Sequence, residues 1–291
     1  MVPTANEHTQ INESGDKPVI AFIGAGNMAE AILGGLYASG HPSSRLRFSE
    51  PFEARRNYMK SKYPEVYSTA DNNDAIQGAN VIILAVKPQV LRTVVQGLDL
   101  AGRQVLVISI AAGIRTGDIL RWLDAAGNVP LIRCMPNTPA LIGEGAVGLY
   151  PTASVNDTHK KTAEDIMRAV SKQVAWVDNE ALIDTVTAVS GSGPAYFFLI
   201  MEAMQDAAVA AGLSEADAKA LTLQTCLGAG KMALESEDDL ATLRQKVTSP
   251  NGTTEAAIKS METANIRKIM EDALNAAESR GKEIAEEFGQ D

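Results

Sequence analysis

The feature that most constrains this chain is an alternation of short β-rich runs with helical stretches through its first part. Such alternation predicts a parallel sheet with crossover helices on both faces. The β-rich runs are residues 19–23, 46–49, 81–86, 104–110, 130–135 and 173–177. Three of them are apolar almost throughout, as expected of strands that are covered on both faces. We therefore predict an α/β fold with a doubly wound, mostly parallel sheet.

The alternation ends near Asp178, and only helical patterns continue from there to the C-terminus. A length of 291 residues is enough for two domains. We predict a flexible N-terminal arm over residues 1–17, an α/β domain over 18–178 and an all-helical domain over 179–291. The arm has small polar residues without a basic start or an apolar core, so we do not expect a secretory signal.

The helical domain contains one long helix that is apolar on nearly all sides. Pro194 suits its first turn, and Gly212 is a suitable stop. Phe197, Phe198 and Met201 extend its main apolar stripe to the other sides. A helix that is apolar all round should be buried all round, which a domain of this size achieves most easily with a second subunit. We therefore expect a homodimer with this helix in the interface.

The composition excludes several kinds of partner. The chain has 26 lysines and arginines against 36 aspartates and glutamates, a formal net charge of −10. This balance disfavours nucleic acids and anionic membranes as partners. The two cysteines, Cys134 and Cys226, cannot build a disulfide framework and have no neighbouring cysteine or histidine to form a metal site. We expect a cytoplasmic protein without a bound metal.

A glycine-containing turn follows the first β-rich run. Gly24, Gly26 and Ala29 match the dinucleotide fingerprint with alanine at its third small position. Gly24 permits a tight turn, and Gly26 allows a pyrophosphate to approach free amides at the start of a helix. An ordinary tight turn is the alternative, but the strand, turn and helix context favours a Rossmann-type dinucleotide site.

The second β-rich run ends beside charges of both signs. Glu50 at this point would bind the ribose diol of NAD and repel a 2′-phosphate, whereas Arg55 or Arg56 would attract one. A solvated helix start with ordinary surface charges is the third interpretation. These residues leave the choice between NADH and NADPH open.

Three later turns are rich in small or stiff residues: 85–89, 109–114 and 134–140. Ligands in open α/β sheets bind at the carboxyl ends of strands, where the small residues 111–113 would let a flat ring lie against the backbone. Each turn alone fits an ordinary connection between a strand and a helix. Together they favour a nicotinamide site.

Histidine chemistry is not expected here. His8, His41 and His159 lie in the arm, in a turn and at a helix start, and we predict that all three are surface residues. A Ser-His-Asp triad, a Cys-His pair and a histidine-ligated metal are therefore disfavoured.

A turn at Pro250 to Gly252 precedes the helix that Thr253 and Thr254 begin. A threonine there could cap the helix, which is worth about 1 kcal/mol and needs no function. Alternatively, free amides and hydroxyls at this helix start could hold a substrate carboxylate. The residues alone leave both interpretations open.

Six motifs, in order, resemble the pyrroline-5-carboxylate reductases: FIGAGNMAEAI, AVKP, SIAAGI, RCMPNTPA, AVSGSGPAYFF and VTSPNGTTEAAI. The last two are the most specific. The resemblance implies reduction of the cyclic imine 1-pyrroline-5-carboxylate to L-proline by hydride from NADPH or NADH, the final step of proline biosynthesis. It also implies dimers with interlocked helical domains, in some members joined into rings. An imine that is already protonated, or hydrogen-bonded by a hydroxyl, needs no strong protein acid.

The resemblance assigns site residues. Thr254, whose hydroxyl would face the ring nitrogen, and Ser249 are the expected catalytic residues. The expected substrate-binding residues are Glu237, Gly252, Thr253 and Thr254. The expected cofactor-binding residues are Gly24, Ala25, Gly26, Asn27, Met28, Ala29, Glu50, Asn72, Ala85, Val86, Lys87, Pro88, Ala111, Ala112, Gly113 and Lys246. Glu50 stands where members that favour NADPH often carry serine.

Two other functions fit part of the chain. A β-hydroxyacid-dehydrogenase-like oxidoreductase would need a lysine about one turn beyond a glycine-rich helix start, but no lysine follows Gly193 before Lys219. A non-catalytic NAD(P)H-binding sensor would keep the glycine turn and lose the substrate loop. Retention of Ser249, Thr253 and Thr254 favours an enzyme.

Overall fold

The computed structural model describes residues 17–124 and 129–289, so the predicted arm lies outside the described residues except for Lys17. Within these ranges, eight strands form one sheet in the order β3-β2-β1-β4-β5-β6-β7-β8. The strands are β1 Ile20–Ile23, β2 Leu46–Ser49, β3 Tyr67–Thr69, β4 Val81–Leu84, β5 Leu106–Ser109, β6 Leu131–Met135, β7 Gly145–Pro151 and β8 Ser171–Trp176. Only the β6–β7 pair is antiparallel among them. The predicted doubly wound, mostly parallel sheet is confirmed.

Helices cover the sheet and make up the rest of the chain. In the first part they are α1 Asn27–Ala38, α2 Glu53–Lys62, α3 Asn72–Ala75, α4 Pro88–Gln96, α5 Thr116–Trp122, α6 Asp157–Arg168 and α7 Leu182–Val186. A π-helical turn, Thr187–Gly191, follows α7. The remaining helices are α8 Gly193–Ala210, α9 Glu215–Glu235, α10 Leu240–Lys246, α11 Thr253–Thr263 and α12 Ile266–Phe288. No strand occurs after β8 in the described residues, so the predicted helical character of this part is also confirmed.

The sheet is buried on both faces, which explains its nearly continuous apolar runs. In β1, Ile20 and Phe22 pack into one apolar cluster, whereas Ala21 and Ile23 pack into the other. Successive side chains of a strand point to opposite faces, so both sets must be apolar when helices cover both faces.

Two strands were not predicted, for different reasons. β3 has three residues at the edge of the sheet, and Tyr67 within it is exposed. β7 contains Gly145 and Gly148, which weaken its strand pattern. A Cβ on Gly145 would lie 2.7 Å from the Val170 carbonyl oxygen, and one on Gly148 would lie 2.7 Å from Val186 Cγ1. Close packing therefore requires glycine at both positions. The same glycines weaken the pattern by which a strand is recognised in the sequence.

The chain forms two compact units. The first comprises the chain up to Gly191 together with its end from Glu278, and the second comprises Ser192–Ala277. Residues 179–191, which the sequence assigned to the helical domain, thus pack within the first unit. The predicted domain limits themselves stay a prediction.

The long apolar helix α8 has the predicted start and stop. Pro194 lies in its first turn, and Gly212 just beyond its end has a φ of +105°. Its side chains are not buried within one chain: Phe197 is 58%, Phe198 64% and Leu199 66% exposed. Within Ser192–Ala277, the only buried residues are Gly193, Ala218 and Thr222. The all-round burial expected of α8 is therefore not found within one chain.

The prediction that the histidines lie on the surface is wrong for two of them, and His8 lies outside the described residues. His41 is buried, with Nε2 at 2.9 Å from the carbonyl oxygen of Pro18. His159 is also buried and forms a capping box at the start of α6 with Asn156. Burial lowers the pKa of both imidazoles.

No helix in residues 17–124 and 129–289 is long and apolar enough to cross a membrane. No group of three or more histidine, cysteine, aspartate or glutamate side chains in those ranges could hold a metal ion.

Candidate functional site

The glycine turn joins the ends of three adjacent strands. The N–H of Gly24 donates to the carbonyl oxygen of Ser49 at the end of β2, at 3.0 Å. Gly24 has a φ of +93°, and a Cβ there would lie 2.8 Å from Val86 Cγ1 and 2.9 Å from the Ala85 carbonyl oxygen. Backbone conformation and the closeness of the turn after β4 therefore both require glycine at this position.

The N-terminus of α1 is open. Gly26 is its N-cap residue, and no side chain within the described ranges caps the helix. Gly26 and Asn27 are exposed, and a Cβ added to Gly26 would meet no atom within 4 Å. By contrast, Ala29 is buried against the sheet. An uncapped helix start with open space at a glycine fits a pyrophosphate group.

Ala25, between these two glycines, is held from both sides. Its N–H donates to Oε2 of Glu50 at 3.1 Å, and its carbonyl oxygen accepts from Nε of Arg55 at 2.6 Å. The other oxygen of Glu50 accepts from the N–H of Phe52 at 3.1 Å. Glu50 is buried, so it is not an ordinary solvated surface charge.

Both arginines that could attract a 2′-phosphate already have partners. Arg55 also donates to Glu30 at 2.7 Å, and Arg56 donates to the carbonyl oxygen of Glu50 at 2.6 Å. Burial raises the pKa of Glu30, but hydrogen bonds from Lys62 and Arg55 outweigh it and leave that pKa below its usual value. These contacts fix the arginines around the glycine turn.

The other cofactor positions of the first unit follow neighbouring strands. Ala85 donates its N–H to the carbonyl oxygen of Ile23 at 2.9 Å, and Lys87 is the exposed N-cap residue of α4, with Pro88 in its first turn. Asn72 begins α3 just after β3. These residues share the carboxyl edge of the sheet with the glycine turn.

The turn after β5 is more closed than its sequence indicated. Ala111 is buried and Ala112 is half-buried. Gly113 has a φ of +79°, and a Cβ there would lie 2.3 Å from Cγ2 of Ile284 near the end of α12. Packing against α12 is therefore enough to explain why residue 113 is glycine, and Ala112 is the most exposed residue of the three.

In the helical unit, the turn before α11 exposes a second uncapped helix start. Gly252 is the N-cap residue, its N–H donates to the carbonyl oxygen of Ser249 at 3.0 Å, and no described side chain caps the helix. Thr253 and Thr254 occupy the first turn and are exposed, so the interpretation of a threonine N-cap is wrong. Their side chains are left available to a ligand.

Two other predicted residues lie near this turn along the chain. Glu237 is exposed between α9 and α10. Lys246, at the end of α10, forms an ion pair with Asp238. The structure therefore brings the predicted cofactor residues together in the first unit, except for Lys246, and places the predicted substrate residues in the second.

Sequence reasoning missed the role of Asn137. Its Nδ2 donates to the carbonyl oxygen of Ser190 at 3.0 Å, and its Oδ1 accepts from the N–H of Ala146 at 2.9 Å. Asn137 thus ties the turn after β6 to the π-helical turn Thr187–Gly191. The only signal in the sequence is an asparagine between the prolines of the MPNTP segment.

Two models of known protein families match parts of this chain. A family model described as "NADP oxidoreductase coenzyme F420-dependent" matches residues 19–113. Another, described as "Pyrroline-5-carboxylate reductase dimerisation", matches residues 180–284 and indicates a homo-oligomer.

Full-length relatives share one activity. The pyrroline-5-carboxylate reductase of Pseudomonas aeruginosa is 49% identical over 94% of this chain and 99% of its own length. A solved reductase from Coxiella burnetii has a TM-score of 0.87 and 44% identity, over 93% of this chain and 99% of that one. The Plasmodium falciparum enzyme, solved with NADP bound, has a TM-score of 0.82 and 28% identity over the same shares. The chain therefore belongs to the pyrroline-5-carboxylate reductase family, the NAD(P)H-dependent oxidoreductases of proline biosynthesis.

Proposed function

We propose that this enzyme reduces 1-pyrroline-5-carboxylate to L-proline by using two uncapped helix N-termini, one for each anionic partner. The start of α1 binds the pyrophosphate of the cofactor, and the start of α11 binds the carboxylate of the substrate. The 49% identity to the Pseudomonas aeruginosa enzyme over 94% of the chain supports the reaction. The single observation behind the two sites is that Gly26 and Gly252 are both N-cap residues without a capping side chain in the described ranges.

The cofactor would lie along the carboxyl edge of the sheet. Residues Gly24 to Ala29 would hold the pyrophosphate, the turns at 85–88 and 111–113 would line the nicotinamide end, and Asn72 would add a polar contact. The open space at Gly26 fits the close approach of a phosphate. A dinucleotide bound in the Plasmodium falciparum relative supports this class of cofactor. The ammonium of Lys246 pairs with Asp238 and keeps further donors that would be available to the cofactor.

Glu50 would influence which cofactor is preferred. Each of its oxygens accepts one main-chain N–H, which leaves acceptor capacity for a ribose hydroxyl. Its negative charge would also oppose a 2′-phosphate. We propose that NADH and NADPH both serve and that Glu50 lowers the preference for NADPH.

The substrate loop, residues 249–254, would bind both the carboxylate and the ring nitrogen of the substrate. The main-chain amide of Thr253, with the hydroxyl of Ser249, would hold the carboxylate, because a free N–H group and the helix dipole favour an anion there. Gly252, whose own N–H donates to the carbonyl oxygen of Ser249, would let the carboxylate approach the helix start. The hydroxyl of Thr254 would hydrogen-bond the ring nitrogen, and the exposed carboxylate of Glu237 would lie near that cationic group.

This arrangement needs no histidine. Bound NAD(P)H supplies the hydride that adds to the imine carbon, while the C=N electron pair moves to a nitrogen that already carries a proton. The protein therefore has to hold the imine carbon within reach of the nicotinamide and to keep the ring nitrogen hydrogen-bonded.

We propose a homodimer, because α8 leaves several large apolar side chains exposed within one chain. A cytoplasmic location fits two unpaired cysteines. Burial raises the pKa of the Cys134 thiol far above its usual value.

The reaction is tested by following the oxidation of NADPH and of NADH at 340 nm with 1-pyrroline-5-carboxylate as the substrate, and by identifying proline as the product. Substrate-dependent oxidation with stoichiometric proline is the expected result. The absence of oxidation with both cofactors would contradict the proposal.

A further inference from the structure

A buried cluster of charges lies outside the residues assigned to binding. Arg133, in the middle of β6, has a side chain that is 2% exposed. Its Nη2 donates to Oδ1 of Asp184 in α7 at 2.8 Å, and its Nη1 lies 3.4 Å from Oε1 of Glu180. Asp184 is buried as well. Arg133 therefore holds two acids that arrive from the same later segment of the chain.

Burying these charges costs free energy, so a contribution to stability alone is a poor explanation for the cluster. Removing two charges from water can cost as much as their attraction returns, and well-packed apolar residues often replace a buried ion pair without loss of stability. In addition, Nε of Arg133 is buried and has no hydrogen-bond partner in the described residues. A buried ion pair can instead specify one arrangement of the segments that it joins.

Glu180 connects this cluster to the turn after β5. Its Oε1 accepts from the N–H of Thr116 at 2.7 Å, and its Oε2 accepts from the Thr116 hydroxyl at 2.9 Å. Thr116 is the first residue of α5, whose own N-cap residue, Arg115, provides no side-chain cap. Glu180 thus caps α5 from a distant part of the chain and fixes the point where the turn containing Ala111 to Gly113 ends.

Asp184 connects the same cluster to the start of the helical unit. It lies in α7, which continues into the π-helical turn Thr187–Gly191 and then into α8. π-Helical turns are rare and occur frequently at functional sites. Asn137 holds the carbonyl oxygen of Ser190 in this turn. The segment that leads into the helical unit is therefore anchored to the sheet at two points.

We propose that Arg133 is a positioning residue for hydride transfer. Through Glu180 it sets the turn at Ala111 to Gly113, and through Asp184 it holds α7 against the sheet, within the first unit. The inference rests on the proposed function, because it requires this turn to lie against the nicotinamide. A displacement of about 1 Å in a reacting pair can cost about 100-fold in rate. Loss of the cluster should therefore lower kcat more than it weakens cofactor binding.

The decisive variant removes both charges of the close pair, Arg133→Met with Asp184→Leu. We expect a folded protein whose thermal midpoint stays within a few degrees of the parent, since apolar replacement of a buried pair is often neutral. Its kcat should fall about tenfold or more, while the Kd for NADPH, measured by fluorescence, changes less than about threefold. A folded double variant with the parent kcat would overturn the inference.

A matched control removes an exposed ion pair. Lys161→Met with Asp165→Leu eliminates an i,i+4 pair on α6 whose side chains are 75% and 56% exposed. We expect kcat and the Kd for NADPH to match those of the parent. An equal loss of kcat in this control would show that removing any ion pair has this effect, and would overturn a specific role for Arg133.

Glu180→Gln decides the question if the double variant does not fold. Glu180 is partly exposed, and glutamine replaces one carboxylate oxygen by an NH2 donor, so one of the two oxygens that accept from Thr116 is lost. We expect a lower kcat at nearly unchanged Kd for NADPH. A parent-like kcat in this variant would overturn the inference.

Ala112→Leu separates this inference from the function on which it rests. Ala112 is the most exposed residue of the turn, so a larger side chain there should obstruct the nicotinamide if the proposed cofactor site is correct. Parent-like turnover by Ala112→Leu would mean that the proposed site itself has failed. Loss of turnover by Ala112→Leu, together with parent-like turnover by the Arg133 and Glu180 variants, would overturn only the positioning role.

Discussion

Glu50 accepts a hydrogen bond from the main-chain N–H of Ala25 at 3.1 Å, across 25 positions of the sequence. The acid that faces the expected ribose position thus also holds the turn that would bind the pyrophosphate. Because Arg55 holds the carbonyl oxygen of the same residue, the peptide units on both sides of Ala25 are fixed before any cofactor binds. Changes at Glu50 should therefore affect both the choice of cofactor and the rigidity of its site.

Replacement of Glu50 by serine should raise the ratio of kcat/KM for NADPH to kcat/KM for NADH, because it removes charge repulsion at the 2′-phosphate. Serine is too short to keep the hydrogen bond from Ala25, so kcat/KM for NADH should fall. Glu50→Gln removes the charge but keeps an oxygen for that N–H, and should shift the ratio with a smaller loss. If neither variant changed the ratio in steady-state kinetics, Glu50 would have no part in cofactor choice.

The two glycines of the turn should respond differently to alanine. A Cβ added at Gly26 meets no atom within 4 Å, so Gly26→Ala should leave folding unaffected while KM for NAD(P)H rises about tenfold. Gly24→Ala combines a φ of +93° with close contacts to Val86 and Ala85, and should lower the free energy of unfolding by about 2 kcal/mol. Thermal melting and the KM for NAD(P)H should be measured for both variants. A parent-like KM in Gly26→Ala would contradict the prediction.

The exposed face of α8 should be covered by a second chain. Phe198→Asp places a charge on a side chain that is 64% exposed within one chain, and sedimentation should show loss of the dimer. Ile142→Asp, at a residue that is 78% exposed in the α/β unit, serves as the matched control and should leave the mass of the assembly unchanged. A parent protein that is a stable monomer at micromolar concentration would refute the dimer.

Stability should fall as the pH falls through the titration of His159. Burial lowers the pKa of this imidazole in the folded state, so the unfolded chain binds protons more readily. Its contribution is therefore fully present above the unfolded pKa of about 6.5 and is lost as the pH drops through the lower folded pKa. His159→Gln keeps a capping-box residue without a titrating ring. The thermal midpoint of this variant should decline less than that of the parent between about pH 7 and pH 5, and parallel declines would exclude His159 as the cause.

The sequence predicted those strands and turns that a pattern of neighbouring residues encodes. Apolar runs covered on both faces predicted six strands, and glycine with proline predicted the turns that carry the candidate site. β7 was missed because Gly145 and Gly148 serve packing against other segments. The Arg133 cluster was missed because its acids lie 47 and 51 positions away along the chain. Partners at such separations are set by the tertiary fold and leave no local pattern.

The central claim is that the turn before α11 binds the substrate, whereas the turn after β1 binds the cofactor. Thr254→Ala tests this claim most directly, with Thr263→Ala at the other end of α11 as the control, since both replace an exposed threonine by the best helix former. We predict that Thr254→Ala lowers kcat about tenfold at an unchanged Kd for NADPH, whereas Thr263→Ala changes neither. An unchanged kcat in Thr254→Ala would contradict the account.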